Sequence, residues 1–121
     1  MTLPPYAELL GLTVDGIRLT MPGGDVVTGR PDYLHGGALA GLLEVAAIVA
    51  LSAEVEGVRI KPVNVTVDFL RGGKLIDTHA EGRVTKVGRR VANVEAFAWQ
   101  EDRERPVAGA RMNYLLVRDD D

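Results

Sequence analysis

The sequence has no cysteine, which removes disulfide scaffolding and thiolate metal sites. Its two histidines, His35 and His79, stand far apart, so no zinc site and no metal ligand set is expected. Basic residues are not in excess: 14 Lys and Arg face 17 Asp and Glu, for a net charge of −3. A nucleic-acid partner, which calls for a strongly basic face, is therefore not expected. The longest apolar run is interrupted by Glu44 and falls short of the roughly 20 residues a membrane span needs. The opening MTLPPYAELLG has neither the basic start nor the apolar core of a signal peptide. Repeats and low-complexity linkers are absent as well. These absences lead to the expectation of a soluble, cytoplasmic protein with one domain over residues 1–121 and no membrane partner. The acidic tail, Asp119 to Asp121, is expected to fray.

What is present is a chain 46% hydrophobic, enough for one compact core. Pro4 to Leu10 reads as a short helical turn with proline near its start. Asp15-Gly16, flanked by Leu12, Val14, Ile17 and Leu19, is a two-residue hairpin signal. Gly23-Gly24-Asp25 marks another turn. HGGALAGLLEVAAIVAL then opens a helix over about Gly36–Ser52, rich in the strong helix formers Ala and Leu. Apolar residues occupy every side of it, and a helix of that kind is buried all round. Glu44 sits alone in its middle.

Strand patterns fill the second half. KPVNVTVDFL alternates, with Val63, Val65, Val67 and Phe69 on one face. Turns at Arg71–Lys74 and Gly88–Arg90 separate it from DTHAEGRVTKV and RVANVEAFAWQ. The latter puts Val91, Phe97 and Trp99 on one face and Ala92, Val94, Ala96 and Ala98 on the other. EDRER turns the chain into PVAGARMNYLLV. Consecutive strands with short turns read as an antiparallel meander, and the alanine face lets a helix lie close. The fold class is α+β, one long helix wrapped by a curved antiparallel sheet. One sheet covers only one side of that helix, so a second copy is expected on the other, with sheets joined edge to edge.

His35-Gly36-Gly37-Ala38, Glu44 nine positions after His35, the strand ending DFLRGG and the loop VGRR together resemble the hotdog-fold acyl-CoA thioesterases of the phenylacetate-degradation and 4-hydroxybenzoyl-CoA type. The resemblance spans about residues 8–117. It implies a homodimer, which in such families often pairs further into a homotetramer, sites at the dimer interface with residues from both chains, an acyl-CoA substrate and no metal or redox cofactor; dimer and tetramer both stay open. Two positions depart from the pattern. Many relatives carry Asn or Gln where this chain has Gly29, with Arg30 and Asp32 as the nearest replacements. Some have a hydroxyl residue where this chain has Ile48.

Thioester hydrolysis needs a polarised carbonyl and an attacking group. A helix N-terminus offers unpaired N–H groups and partial positive charge, and glycine lets a carbonyl come close. Gly36 and Gly37 suit that role; easing a tight helix entry is the structural alternative. A buried carboxylate is costly unless it has a partner or a task. Glu44 is therefore expected to act as general base on water or as nucleophile, or else to be tied to an interface partner. His35 is expected either to orient the substrate or to cap the helix. Gly88, Arg89 and Arg90 are candidates for the CoA phosphates, since arginine binds phosphate bidentately. Arg71 and Lys74 are weaker ones. Asn64, breaking an apolar strand, either faces the site or lies on the surface. The competing readings are a non-catalytic acyl-CoA-binding hotdog protein and an enoyl-thioester hydratase using His35 and Glu44.

Overall fold

The computed structural model describes residues 2–118; the acidic tail lies outside them. A short helix α1 (Pro5–Leu9) starts the chain, with Pro5 at its first position, where a missing N–H costs nothing. Strands β1 (Thr13–Asp15) and β2 (Arg18–Met21) follow as a hairpin. Its turn uses Gly16 at φ 65°, a conformation glycine adopts without steric penalty. After a 3₁₀ turn at Asp25–Val27 comes α2 (Gly36–Ser52). The chain ends with β3 (Val58–Phe69), β4 (Thr78–Val87), β5 (Val91–Trp99) and β6 (Ala108–Arg118).

All six strands form one antiparallel sheet in the order β1-β2-β4-β5-β6-β3. This corrects the meander in one place: β3 pairs with β6, not with β4. The segment between β3 and β4 is too long for a hairpin turn. It crosses the end of the sheet instead, held by Leu34 N–H donating to Gly73 O at 2.9 Å and by a bridge between Tyr33 and Lys74. β3 is thereby left as a long free edge, with the short β1 at the other.

Helix α2 lies on the concave face, packed mainly against β4 and β5. The close approach rests on small residues. Ala80, Ala92, Ala96 and Ala98 face it from the sheet and are fully buried. At Gly82 a β-carbon would stand 2.8 Å from Ala46 O and 2.9 Å from Ala50 Cβ. Leu42, Leu43 and Leu51 are buried completely, each contributing about 1.5–3 kcal/mol. On the helix's other flank, Tyr6 of α1 fills the space a side chain at Gly41 would need. The convex face carries an amide ladder across three strands: Asn93 donates to Asn113, and Asn113 donates to Asn64 at 2.9 Å. It also carries Trp99, flanked by the Arg18 and Arg103 guanidinium groups at 5.2 and 4.6 Å. Both arginines bond Glu81. Burial pushes the Glu81 carboxyl up, but the two arginines outweigh it and hold it below the usual glutamate range.

The helix is not buried all round in the protomer. Gly36, Gly37, Ala40, Glu44, Ile48 and Ser52 are half-buried or exposed, and their four-residue spacing makes one stripe. The sheet curves away from this stripe on the β3 side, so Glu44 is open to water. That corrects the expectation of a buried carboxylate within a single chain.

Candidate active site

The uncovered stripe connects two concavities. The first, about 560 Å³, surrounds the N-terminus of α2. Its walls include Tyr33, Leu39, Phe69 and Leu70, with Arg30 and Arg71 at the margin. The second, about 200 Å³, lies beside Glu44 between α2, β3 and β6, and is lined by Ile48, Pro62, Val63, Val65, Met112 and Tyr114.

His35 caps α2: its ring Nδ1 accepts from Gly37 N–H at 2.9 Å. The cap therefore distinguishes the two glycines. Gly37 N–H is already engaged, whereas Gly36 N–H has no hydrogen-bond partner among the described residues. Gly36 also lies under an aromatic ring, since a β-carbon there would be 3.3 Å from Phe69 Cζ. Phe69 is 57% exposed, so it serves the tip of the helix and not the core of the lone protomer. An unpaired N–H at a helix start, beside an aromatic wall, is suited to hold a carbonyl oxygen as charge builds on it.

Within one chain, the expected site residues are not brought together. Gly36 and Glu44 are eight residues apart on one helix, or about 12 Å. The Gly88–Arg90 turn is at the opposite end of the sheet, next to Leu116 and Arg118 of β6, near the C-terminus of α2. Asn64 borders the Glu44 concavity, but its side-chain oxygen is taken by Asn113. Arg71 donates its Nε to Pro106 O at 3.0 Å and edges the tip concavity. Lys74 is tied through its backbone to Gln100. Arg30 lies with its guanidinium 4.8 Å from the Tyr33 ring centroid. Sequence reasoning missed Tyr33 and Tyr114 as site residues; neither carries a motif signal. Among the described residues no group of three or more His, Cys, Asp or Glu could hold a metal ion. No described helix is long and apolar enough to cross a membrane.

Gly29 has a steric explanation. A β-carbon there would be 2.9 Å from His35 Cα and 3.3 Å from His35 N, so the loop 28–34 leaves no room for a side chain. Restoring the relatives' residue by Gly29→Asn is expected to cost about 1–3 kcal/mol of stability through overpacking. It should displace His35 and lower activity instead of raising it. Thermal melting and turnover of the variant check both.

Comparison with known proteins fits this geometry. The chain matches the thioesterase superfamily over residues 32–107, more than half its length. A search of curated proteins finds no match. Among solved structures, a Chromobacterium violaceum protein is 38% identical, with TM-score 0.73 over 93% of this chain and 83% of that one. A phenylacetic acid degradation-related protein from Ralstonia eutropha JMP134 is 24% identical, with TM-score 0.81 over 95% and 92% of the two chains. A Bacillus halodurans protein solved with CoA is 20% identical, with TM-score 0.82 over 96% and 78%. With a helix tip and a carboxylate set along one open stripe of a sheet-wrapped helix, and with that match across its middle, this chain belongs to the thioesterase superfamily.

Proposed function

We propose that the protein hydrolyses an acyl-CoA thioester to free acid and CoA, in a site shared by two copies of the chain. The observation that carries this is the stripe itself. It holds an unpaired amide at Gly36 and a carboxylate at Glu44, too far apart to serve one carbonyl within a chain. A two-fold axis along the β3 edge reverses one helix against the other and sets Glu44 of one protomer facing Gly36 of its partner. That edge is suited to such pairing. It is twelve residues long, ends the sheet, and is flanked by exposed Val63, Val65, Phe69 and Leu70, the profile of a strand awaiting a partner. The same axis carries the Gly88–Arg90 turn toward the partner's helix tip, where Arg89 and Arg90 join Arg30 and Arg71 around the phosphates of CoA. The CoA bound to the Bacillus halodurans relative supports this ligand class.

The chemistry then runs as follows. Gly36 N–H, supported by the helix dipole, stabilises the carbonyl oxygen; His35 holds the tip in shape through its cap. A water oxygen bonds to the thioester carbon while Glu44 takes a proton. The carbonyl electron pair moves to oxygen and returns as the carbon–sulfur bond breaks, and the CoA sulfur leaves with the proton Glu44 held. The partner's cover dries Glu44, which the lone protomer does not. A concavity of about 200 Å³ suits one aromatic ring or a medium acyl chain, since an apolar cavity of about 150 Å³ admits benzene.

The apolar residues at Gly29 and Ile48 favour a second reading, an acyl-CoA-binding protein without turnover. Release of free CoA from a panel of aromatic and medium-chain acyl-CoA thioesters, run beside light scattering, separates them. A mass near twice 13.0 kDa or a higher even multiple, with CoA release, is the expected result. Saturable binding without release favours the second reading, hydration of crotonyl-CoA without release favours a hydratase, and a folded monomer sinks the shared site.

A further inference from the structure

The Glu44 concavity has one hydroxyl in its lining, that of Tyr114. Tyr114 sits on the inner face of β6 and is 1% exposed. Its Oη donates to Met112 Sδ at 3.0 Å. A thioether is a weak acceptor, so a fully buried phenol has been left with a partner it gains by exchanging. The other polar residue in the lining besides Glu44 is Asn64, whose side chain lies on the opposite face of the sheet and is engaged by Asn113. Ile48, one helical turn below Glu44, offers only carbon. A water in this concavity needs at least two polar partners to be held, and Glu44 supplies one.

We propose that Tyr114 is a positioning residue of the hydrolytic site: its hydroxyl turns from Met112 to anchor the water that Glu44 deprotonates. The inference rests on the reading of Glu44 as a general base. Tyr114 Oη donates to one lone pair of the water, the water donates to Glu44, and the remaining lone pair faces the thioester carbon. Tyr114 keeps its own proton throughout. Burial, and secondly the negative charge of Glu44, push the phenol far above its ordinary range, so it stays a donor at every pH at which the enzyme works. The arrangement replaces from the sheet a hydroxyl that the helix does not carry at position 48.

Tyr114→Phe tests this, because it removes one oxygen and keeps the ring that fills the core. The expected result is a fall in kcat of about 10- to 100-fold with KM within about twofold. Melting should be nearly unchanged. A merely structural role would lower the melting temperature or move KM along with kcat, so the split between kcat and KM decides. Parental kcat in Tyr114→Phe, with turnover lost in Glu44→Gln, overturns the role of Tyr114 and leaves the hydrolase reading standing. Absence of CoA release by the parent protein removes both. If Tyr114→Phe does not fold, a crystal structure of the native dimer decides. A water bonded to both Tyr114 Oη and Glu44 supports the proposal, and Oη still on Met112 with no such water overturns it.

Discussion

Mixing Glu44→Gln protomers with Gly36→Val protomers is expected to restore turnover that neither variant has alone. Glu44→Gln keeps the size of the side chain and removes its basicity, so kcat should fall by about 10²- to 10⁴-fold. Gly36→Val leaves the N–H in place but fills its approach: the added β-carbon meets the Phe69 ring at 3.3 Å, and the branches beyond it project toward the bound carbonyl. Loss of an oxyanion donor costs about 10²- to 10³-fold. In a mixed dimer both defects fall in one site, and the other pairs a native Glu44 with a native Gly36. Equal mixing with random pairing should then recover about a quarter of the parental rate. If each site lay within one chain, every site in the mixture would carry a defect and nothing would return. The experiment therefore reads out the two-copy geometry directly, and it needs no knowledge of the natural acyl group beyond one substrate that turns over.

A large structural effect is expected at Gly82, where β4 meets the helix. Glycine-to-alanine changes often stabilise by restricting the unfolded chain, by about 0.4–1 kcal/mol. Here that gain is outweighed, because the added carbon would press on Ala46 O at 2.8 Å, Ala50 Cβ at 2.9 Å and Ala47 Cα at 3.0 Å. Two of these atoms belong to the helix backbone, which moves only as a whole. Gly82→Val adds two further methyl groups and should cost about 3 kcal/mol or more, lowering Tm by about 10 °C or more. Since α2 carries both Gly36 and Glu44, the variant should lose turnover even below its melting point. A variant that melts with the parent would show that the helix sits farther from β4 than described here. Because the proposed dimer would add to apparent stability, melts are compared at one protein concentration.

Much of the fold was legible in short-range patterns. The bounds of α2 follow from its Ala and Leu content and from His35, whose ring supplies the cap. The hairpin at Asp15-Gly16 and the alanine face of β5 follow from turn chemistry and from the two-residue period of a strand. The pairing of β3 with β6 was not legible. Alternation tells which face a residue takes, never which strand lies alongside, and the crossing of segment 70–77 is set by its bonds to the loop 28–34. The open stripe was hidden for a related reason: Ala40 and Ile48 read as core, and only the curvature of the sheet leaves them uncovered. In the site, the spacing of His35, Gly36 and Glu44 could be read directly. Phe69 could be read from its strand pattern as core or as acyl-pocket lining, but Tyr114 could not be singled out, because in its strand it looks like any other inward apolar residue. Their places near Gly36 and Glu44 come from how three strands bend.

The edge formed by β3 is interrupted. Pro62 offers no N–H to an incoming strand, and Val63 forms a bulge between Pro62 and Asn64, so hydrogen bonding along that margin has a gap near its middle. The opposite margin is β1, only three residues long. In the proposed dimer, a sheet with one long, notched margin and one stub joins to its own kind once and then stops. The gap admits few alignments, and the stub gives a third chain almost nothing to extend. Closure after that single joining would protect a chain with so much bare valine and phenylalanine from growing into fibres.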